Sequence, residues 1–137
     1  MTLREKVNEL ESAMLALPQV DAHTSHALSG KVYARTIRIP AGCVMTGMVH
    51  KKDHINIVNG DVTFVNEEGQ HRLTGYHVIT TPKGAKRVAY AHADTDWTTV
   101  LHTDCTELDD IEEDAVENAE ALQSRALGQN ELLKLEG

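Results

Sequence analysis

The chain has 137 residues, enough for one domain with a real core, and its 21 acidic and 13 basic residues give a formal charge of −8. No basic stripe is present to meet nucleic acid, and no apolar run reaches the length of a membrane span. The first residues lack an apolar signal core and Cys43 and Cys105 stand far apart, so a cytoplasmic protein with reduced thiols is expected.

The charge is unevenly spread. From Asp104 onward 11 acidic residues stand against 2 basic ones, while residues 1–103 are close to neutral. Three segments follow from this and from the periodicity: 1–30 as an N-terminal helix and loop, 31–102 as a β core, and 103–137 as an acidic helical segment.

In residues 3–17, Leu3, Val7, Leu10, Met14 and Leu17 recur at helical spacing, with Arg4, Glu5, Lys6, Glu9 and Glu11 left for solvent. Pro18 marks the helix end. This stripe either packs on the body of the protein or meets its twin across a two-fold axis. Residues 19–30 read as loop, with His23 and His26 in polar surroundings.

At Lys31 the period changes. Tyr33, Arg35, Ile37 and Ile39 alternate with Val32, Ala34, Thr36 and Arg38, a strand pattern with one mostly apolar face. Pro40-Ala41-Gly42 turns it. Short strands follow at 44–49, 55–58, 62–65, 71–73, 77–80, 88–92 and 97–102. Their joints are Asn59-Gly60-Asp61, Glu67-Glu68-Gly69, Thr74-Gly75 and Pro82-Lys83-Gly84. Seven or eight short strands at this spacing indicate an all-β sandwich or barrel. After His102 the pattern returns to helix. Residues 109–126 lack Gly and Pro, and the acidic run from Asp109 to Asp114 suits a helix N-terminus. Gly128 is expected to end that helix, which reads chiefly as a solvated tail.

Residues 42–60, followed by Pro82-Lys83-Gly84, resemble the two motifs of the cupin superfamily. The resemblance covers about residues 31–102 and implies a double-stranded β-helix, or jelly roll, with the N-terminal amphipathic helix and the acidic C-terminal helix outside it. More narrowly, YARTIRIPAG, HKKDHINIVNGDVTF, TTPKGAKRVAYAH and DTDWTTVLH are similar to small cupin-like proteins of tailed bacteriophages and prophages, which mostly lack an assigned activity. If the chain is phage-encoded, its compartment is the host cytoplasm.

The ligand slots implied by the resemblance are only partly filled. The His-x-His slots of the first motif fall on Met48 and His50, and the Glu slot falls on or near His54, with Asp53 as an alternative carboxylate. The His slot of the second motif falls on Arg87. Met48 is a weak ligand for all but soft metals, and a guanidinium cannot ligate a cation. A metal site would therefore rest on His50, His54 and Asp53, or recruit His77, His92 or His102, and would hold one divalent Zn, Fe, Mn or Ni ion.

The competing arrangement takes Arg87 at face value. An inward Arg87 with His50, His54 and Tyr90 or Tyr33 at the rim suits a small anion, because arginine offers a bidentate fork and imidazoles are adaptable donors. If Arg87 points in, strand parity sends Ala89 and Ala91 in with it, and Val88, Tyr90 and His92 to the other side.

Three function classes follow: a non-catalytic cupin-like protein that binds a small polar or anionic ligand in the barrel; a metal-dependent isomerase, lyase or dioxygenase acting on a small polar substrate; and a phage-associated structural or interaction protein. A homo-oligomer, most simply a dimer, is expected in each case. Neither nucleic acid nor membrane is an expected partner.

Overall fold

The computed structural model describes residues 2–14 and 21–134. Its elements in chain order are α1 (Leu3–Met14), β1 (Thr24–Ser29), β2 (Val32–Ile39), β3 (Val44–Thr46), β4 (His54–Asn66), β5 (Gly69–Thr81), β6 (Val88–Ala91) and β7 (Thr95–His102). Then follow α2 (Leu108–Ala115), a 3₁₀ turn (Ala119–Ala121), α3 (Gln123–Ala126) and β8 (Leu132–Lys134). The strands make one curled sheet in the order β3-β6-β4-β7-β2-β1-β8, with β5 paired to β4. All neighbours are antiparallel except β1 and β8. The all-β double-stranded β-helix with small flanking helices is the architecture expected from the sequence.

The hairpin β4–β5 is the spine. β4 gives one edge to β5 along its full length and divides the other, Ile55–Asn59 pairing with β7 and Val62–Val65 with β6. Gly60 sits at the division with φ +153°, and a Cβ there would lie 2.7 Å from the Thr95 Cα and would overlap its hydroxyl. Only glycine lets β7 approach so closely. The expected turns at Asn59-Gly60-Asp61 and Thr74-Gly75 are therefore bends inside two long strands; Gly60 and Gly75 are cross-strand partners. Turn residues were needed for curvature, not for reversal. The reversal at Glu67-Glu68 is a true two-residue hairpin loop, since Asn66 pairs with Gly69.

Two other expectations change. Residues 24–29, read as loop, form β1 in register with β2, and Thr24, His26 and Leu28 point inward at 6, 4 and 6% exposure. The polar residues Thr24, Ser25, His26 and Ser29 hid this alternation. The C-terminal segment is not a solvated tail. Val116 is extended, Asn118 is left-handed (φ 56°), and so the helix breaks after Ala115. Ile111, Ala115, Val116, Ala119 and Leu122 pack onto Leu28, Tyr33 and Leu101. The segment is stitched to the loop before β4, with the Lys51 N–H donating to the Ala115 carbonyl at 2.8 Å and the Glu117 N–H to that of Val49 at 2.9 Å. Gly128 lies just beyond α3 with φ +69°, as expected of a helix terminator.

The apolar interior is divided. One cluster joins Leu28, Tyr33 and Leu101 to the C-terminal segment, and a second gathers Ile39, Val58, Val62, Phe64, Ala89, Ala91 and Trp97. α1 lies over the body through Val7, 2% exposed, and is tied by ion pairs from Arg4 to Glu117 (2.9 Å) and from Glu11 to Lys86. It packs on its own chain, with Leu10 left 38% exposed. Leu17 and Pro18, and Leu135 at the other end, lie outside the described residues.

Candidate functional site

Register, more than any single motif, builds the site. Asn56 on β4 pairs with Thr99 on β7, Thr99 with Arg35 on β2, and Arg35 with His26 on β1. These four residues make an inward-facing row between an apolar row of Val58, Trp97 and Ile37 and another of Leu101, Tyr33 and Leu28. Polar side chains thus separate the two core clusters, and each must find a partner or bear the cost of desolvation.

Most of them do. Asn56, fully buried, donates to the Thr99 hydroxyl at 3.0 Å and accepts the Thr81 O–H at 2.7 Å and an Arg87 N–H at 2.9 Å. Arg87 donates also to the Thr81 hydroxyl at 3.2 Å and lies 4.7 Å over the Trp97 ring. His26 donates to the Gln129 carbonyl at 2.8 Å, which leaves its other nitrogen to accept the Tyr33 O–H at 2.6 Å. Burial lowers the His26 pKa and raises that of Tyr33, consistent with a neutral pair.

His50 and His54 come together as expected, with ring centroids 4.2 Å apart. Burial is the main force that brings the His50 pKa down to about 3, with further lowering from His54, Arg35 and Arg87; its hydrogen bond to the Met48 carbonyl works the other way. His54 is lowered too, chiefly by burial, with Arg87 adding to it. Both imidazoles are thus neutral near pH 7. The Nδ1 of His54 donates to the Lys52 carbonyl at 3.0 Å, so its buried Nε2 holds a lone pair and has no partner among the described residues.

Arg87 points inward, and the parity that follows from this holds: Ala89 and Ala91 are buried, and Tyr90 and His92 face outward. Tyr90 is therefore corrected as a pocket residue. It is 42% exposed and packs edge-on against His92 outside the barrel. Asp53 does not join the imidazoles either. Its exposed carboxylate accepts the Lys83 backbone N–H at 2.9 Å and braces the Pro82-Lys83-Gly84 turn, whose Gly84 N–H reaches the His50 carbonyl at 2.9 Å. His77 binds the Thr74 carbonyl, His92 meets Thr63, and His102 is exposed. Among the described residues no three His, Cys, Asp or Glu side chains are grouped to hold a metal.

Sequence reasoning missed Arg35. Its guanidinium makes no hydrogen bond or ion pair among the described residues, and its Nε is sealed from solvent without a partner. Burial lowers its pKa, which Tyr33 and Glu112 partly offset. Glu112 is itself engaged by the Arg125 Nε at 2.9 Å. The signal was present in the alternation Tyr33, Arg35, Ile37, Ile39, which puts one cation on the apolar face of β2. Arg35 lines a cavity of about 270 Å³ roofed by Glu11 and Met14 of α1 and walled by Ile37, Met45 and Met48.

No family model matches the chain, and none of the curated proteins does. Solved structures do share its fold. A cupin superfamily protein from Desulfitobacterium hafniense superposes with a TM-score of 0.52 at 12% identity, over 64% of this chain and 83% of its own. KdgF from a Halomonas species gives 0.51 at 18% identity, over 69% and 90%. A salicylate 1,2-dioxygenase from Pseudoaminobacter salicylatoxidans gives 0.50 at 13% identity over 69% of this chain, matching 29% of the larger enzyme. The fold is that of the cupins. Among the described residues no helix is long and apolar enough to cross a membrane.

Proposed function

We propose that this cupin-fold barrel binds a small polar or anionic molecule at its guanidinium–imidazole cluster, Arg35, Arg87, His50 and His54. One observation carries the reading: two arginines occupy the interior, and neither has a carboxylate ion-pair partner among the described residues. Both guanidiniums are half-buried; a cation so enclosed without a counter-charge is costly, and an anion in the barrel lowers that cost. The neutral imidazoles then serve as hydrogen-bonding groups, and the row Asn56–Thr99 holds the floor rigid.

The alternative is a metal-dependent enzyme on a small polar substrate, with Zn, Fe, Mn or Ni on His50 and His54. The unpartnered Nε2 of His54 favours it. The rest of the donor set does not fit a resident dication: Asp53 is engaged elsewhere, no third ligand among the described residues is grouped with the pair, and Arg35 and Arg87 make the local potential positive. Two imidazoles beside two guanidiniums suit an anion better. The third reading, a phage-associated interaction protein, draws on the phage-like sequence segments and on an outer sheet face that exposes Val32, Ile55 and Val78 by 52, 43 and 58%. That face supports self-association into a homodimer alongside ligand binding. The two cysteines are free, which suits the cytoplasm.

The test is calorimetric titration of chelator-free protein with inorganic phosphate, sulfate and a set of small carboxylates, beside elemental analysis of the same sample and of a His50→Ala, His54→Ala variant. Saturable binding of one anion class with no stoichiometric metal is the expected result. Near-stoichiometric metal lost in the variant, with no anion bound, would replace this reading with the metal enzyme.

A further inference from the structure

The cavity beneath α1 has a composition that narrows the ligand. Its walls are mostly hydrocarbon and thioether, from Ile37, Met14, Met45, Met48 and Leu122, with Thr24, Thr46 and Gln123 as neutral polar neighbours. Two charged residues line it, Glu11 and Arg35. Glu11 is already paired with Lys86, which is 6% exposed, so that couple is neutral. One positive charge is left over, on Arg35, whose sealed Nε and unengaged guanidinium fork have no acceptor among the described residues. At about 270 Å³ the cavity falls just under the usual size of drug-sized ligand pockets, which suits a small molecule.

Resting on the anion-binding reading above, we infer that this cavity takes a small amphipathic monocarboxylate, its carboxylate forked on Arg35 and its apolar body among Met14, Met45, Met48 and Ile37. A planar carboxylate matches the guanidinium fork bidentately, and flexible thioethers conform to an apolar body without a fixed shape. A dianion fits less well. It would bring a second negative charge close to Glu11 and Glu112 with a single free cation to meet it. A neutral apolar molecule would leave the Arg35 charge buried and unpaired. Met45 belongs to the edge of one core cluster and Met48 to the edge of the other, so the ligand body would fill the gap between them. α1 forms the roof with one fully buried residue, Val7, and two ion pairs, a light attachment that a ligand can lift.

Hexanoate is the probe, with 1-hexanol and inorganic phosphate as its charge and shape controls, followed by calorimetry and by NMR of ¹³C-methyl-labelled methionines in the full chain. Hexanoate is expected to bind and to shift the Met14, Met45 and Met48 methyl resonances, with no binding of hexanol. The Arg35→Met variant is expected to bind hexanoate at least about tenfold more weakly. The methyl shifts are read in the unaltered protein, so the test survives a variant that folds poorly. Phosphate binding without hexanoate binding overturns this inference and leaves the barrel-anion reading standing. Neither binding takes down both. Equal binding of hexanol, or undiminished hexanoate affinity in Arg35→Met, shows an apolar pocket in which Arg35 has no part.

Discussion

Arg87 and Arg35 are two guanidiniums in one barrel, held in opposite ways. Arg87 spends its donors on Asn56 and Thr81 and lies over Trp97, so neutral acceptors and a ring face satisfy most of its charge. Burial draws its pKa down only to about 10, and it stays protonated at neutral pH. Arg35 has the same charge and no acceptor at all among the described residues. The difference separates two kinds of buried cation. One is held largely by the frame and meets a ligand with its charge more than with free donors. The other is a donor set directed at a cavity, and its satisfaction depends on what enters.

The widest test of this comparison is acid, because His50 feels both guanidiniums. Its pKa in the fold is about 3, against an ordinary value of 6.5. Between those values the unfolded chain takes up a proton that the folded chain refuses, so stability contributed by neutral His50 is complete above pH 6.5 and is lost as pH falls toward 3. At about 1.4 kcal/mol per pH unit across the window, the loss reaches several kcal/mol. Urea midpoints at pH 7, 5 and 4 should fall more steeply in the wild type than in His50→Asn, which isolates this residue from the carboxylates. Parallel slopes would mean that the barrel does not hold His50 neutral.

Next in size is Asn56→Leu. Asn56 is fully buried and ties β4 to Thr99, Thr81 and Arg87. The leucine would strip Arg87 of its best acceptor and turn a closed cation into an open one. A loss of about 3 kcal/mol in unfolding free energy is expected, from a half-buried cation that loses its best acceptor and two buried hydroxyls that each lose a partner. A loss below about 1 kcal/mol would mean that water or Trp97 alone suffices for Arg87, and the contrast with Arg35 would weaken.

How much of this was legible beforehand follows from where the information sits. The alternation Tyr33-Arg35-Ile37-Ile39 and the glycine–proline joints carry local geometry, and they sufficed for a curled all-β core. The pairing of His50 with His54 was legible because both lie on one short stretch. Strand parity at Arg87 correctly sorted Ala89 and Ala91 from Tyr90 and His92; including Tyr90 in the pocket ran against that same parity. What was not legible is the row across strands, Asn56–Thr99–Arg35–His26, since its register joins residues as far apart in sequence as Arg35 and Thr99 and is set by tertiary packing. Gly60 shows the same limit. Asn-Gly-Asp looks like a turn until β7 arrives and makes it a place where only a missing Cβ allows contact. The break after Ala115 depends on the docking of Val116 beside Val49 and His50, which helix periodicity does not encode.

The smallest effects make the sharpest comparison, because they differ in sign. Arg87→Met removes two hydrogen bonds and the contact over Trp97, leaving Asn56 with fewer donors; unfolding free energy should fall by about 1–2 kcal/mol. Arg35→Met removes a charge with no partner among the described residues and replaces it with a side chain of similar length that suits Ile37, Met45 and Met48 around it. In ligand-free protein that should leave stability unchanged or raise it by up to about 1 kcal/mol. Adding a bound anion should reverse the order, since ligand stabilises only the state that binds it. Thermal melts of both variants, with and without a saturating carboxylate, read all four values. If Arg35→Met costs as much as Arg87→Met without ligand, then Arg35 is framework too, held by its field with Glu112 and Tyr33, and the cavity beside it is a packing gap with no tenant.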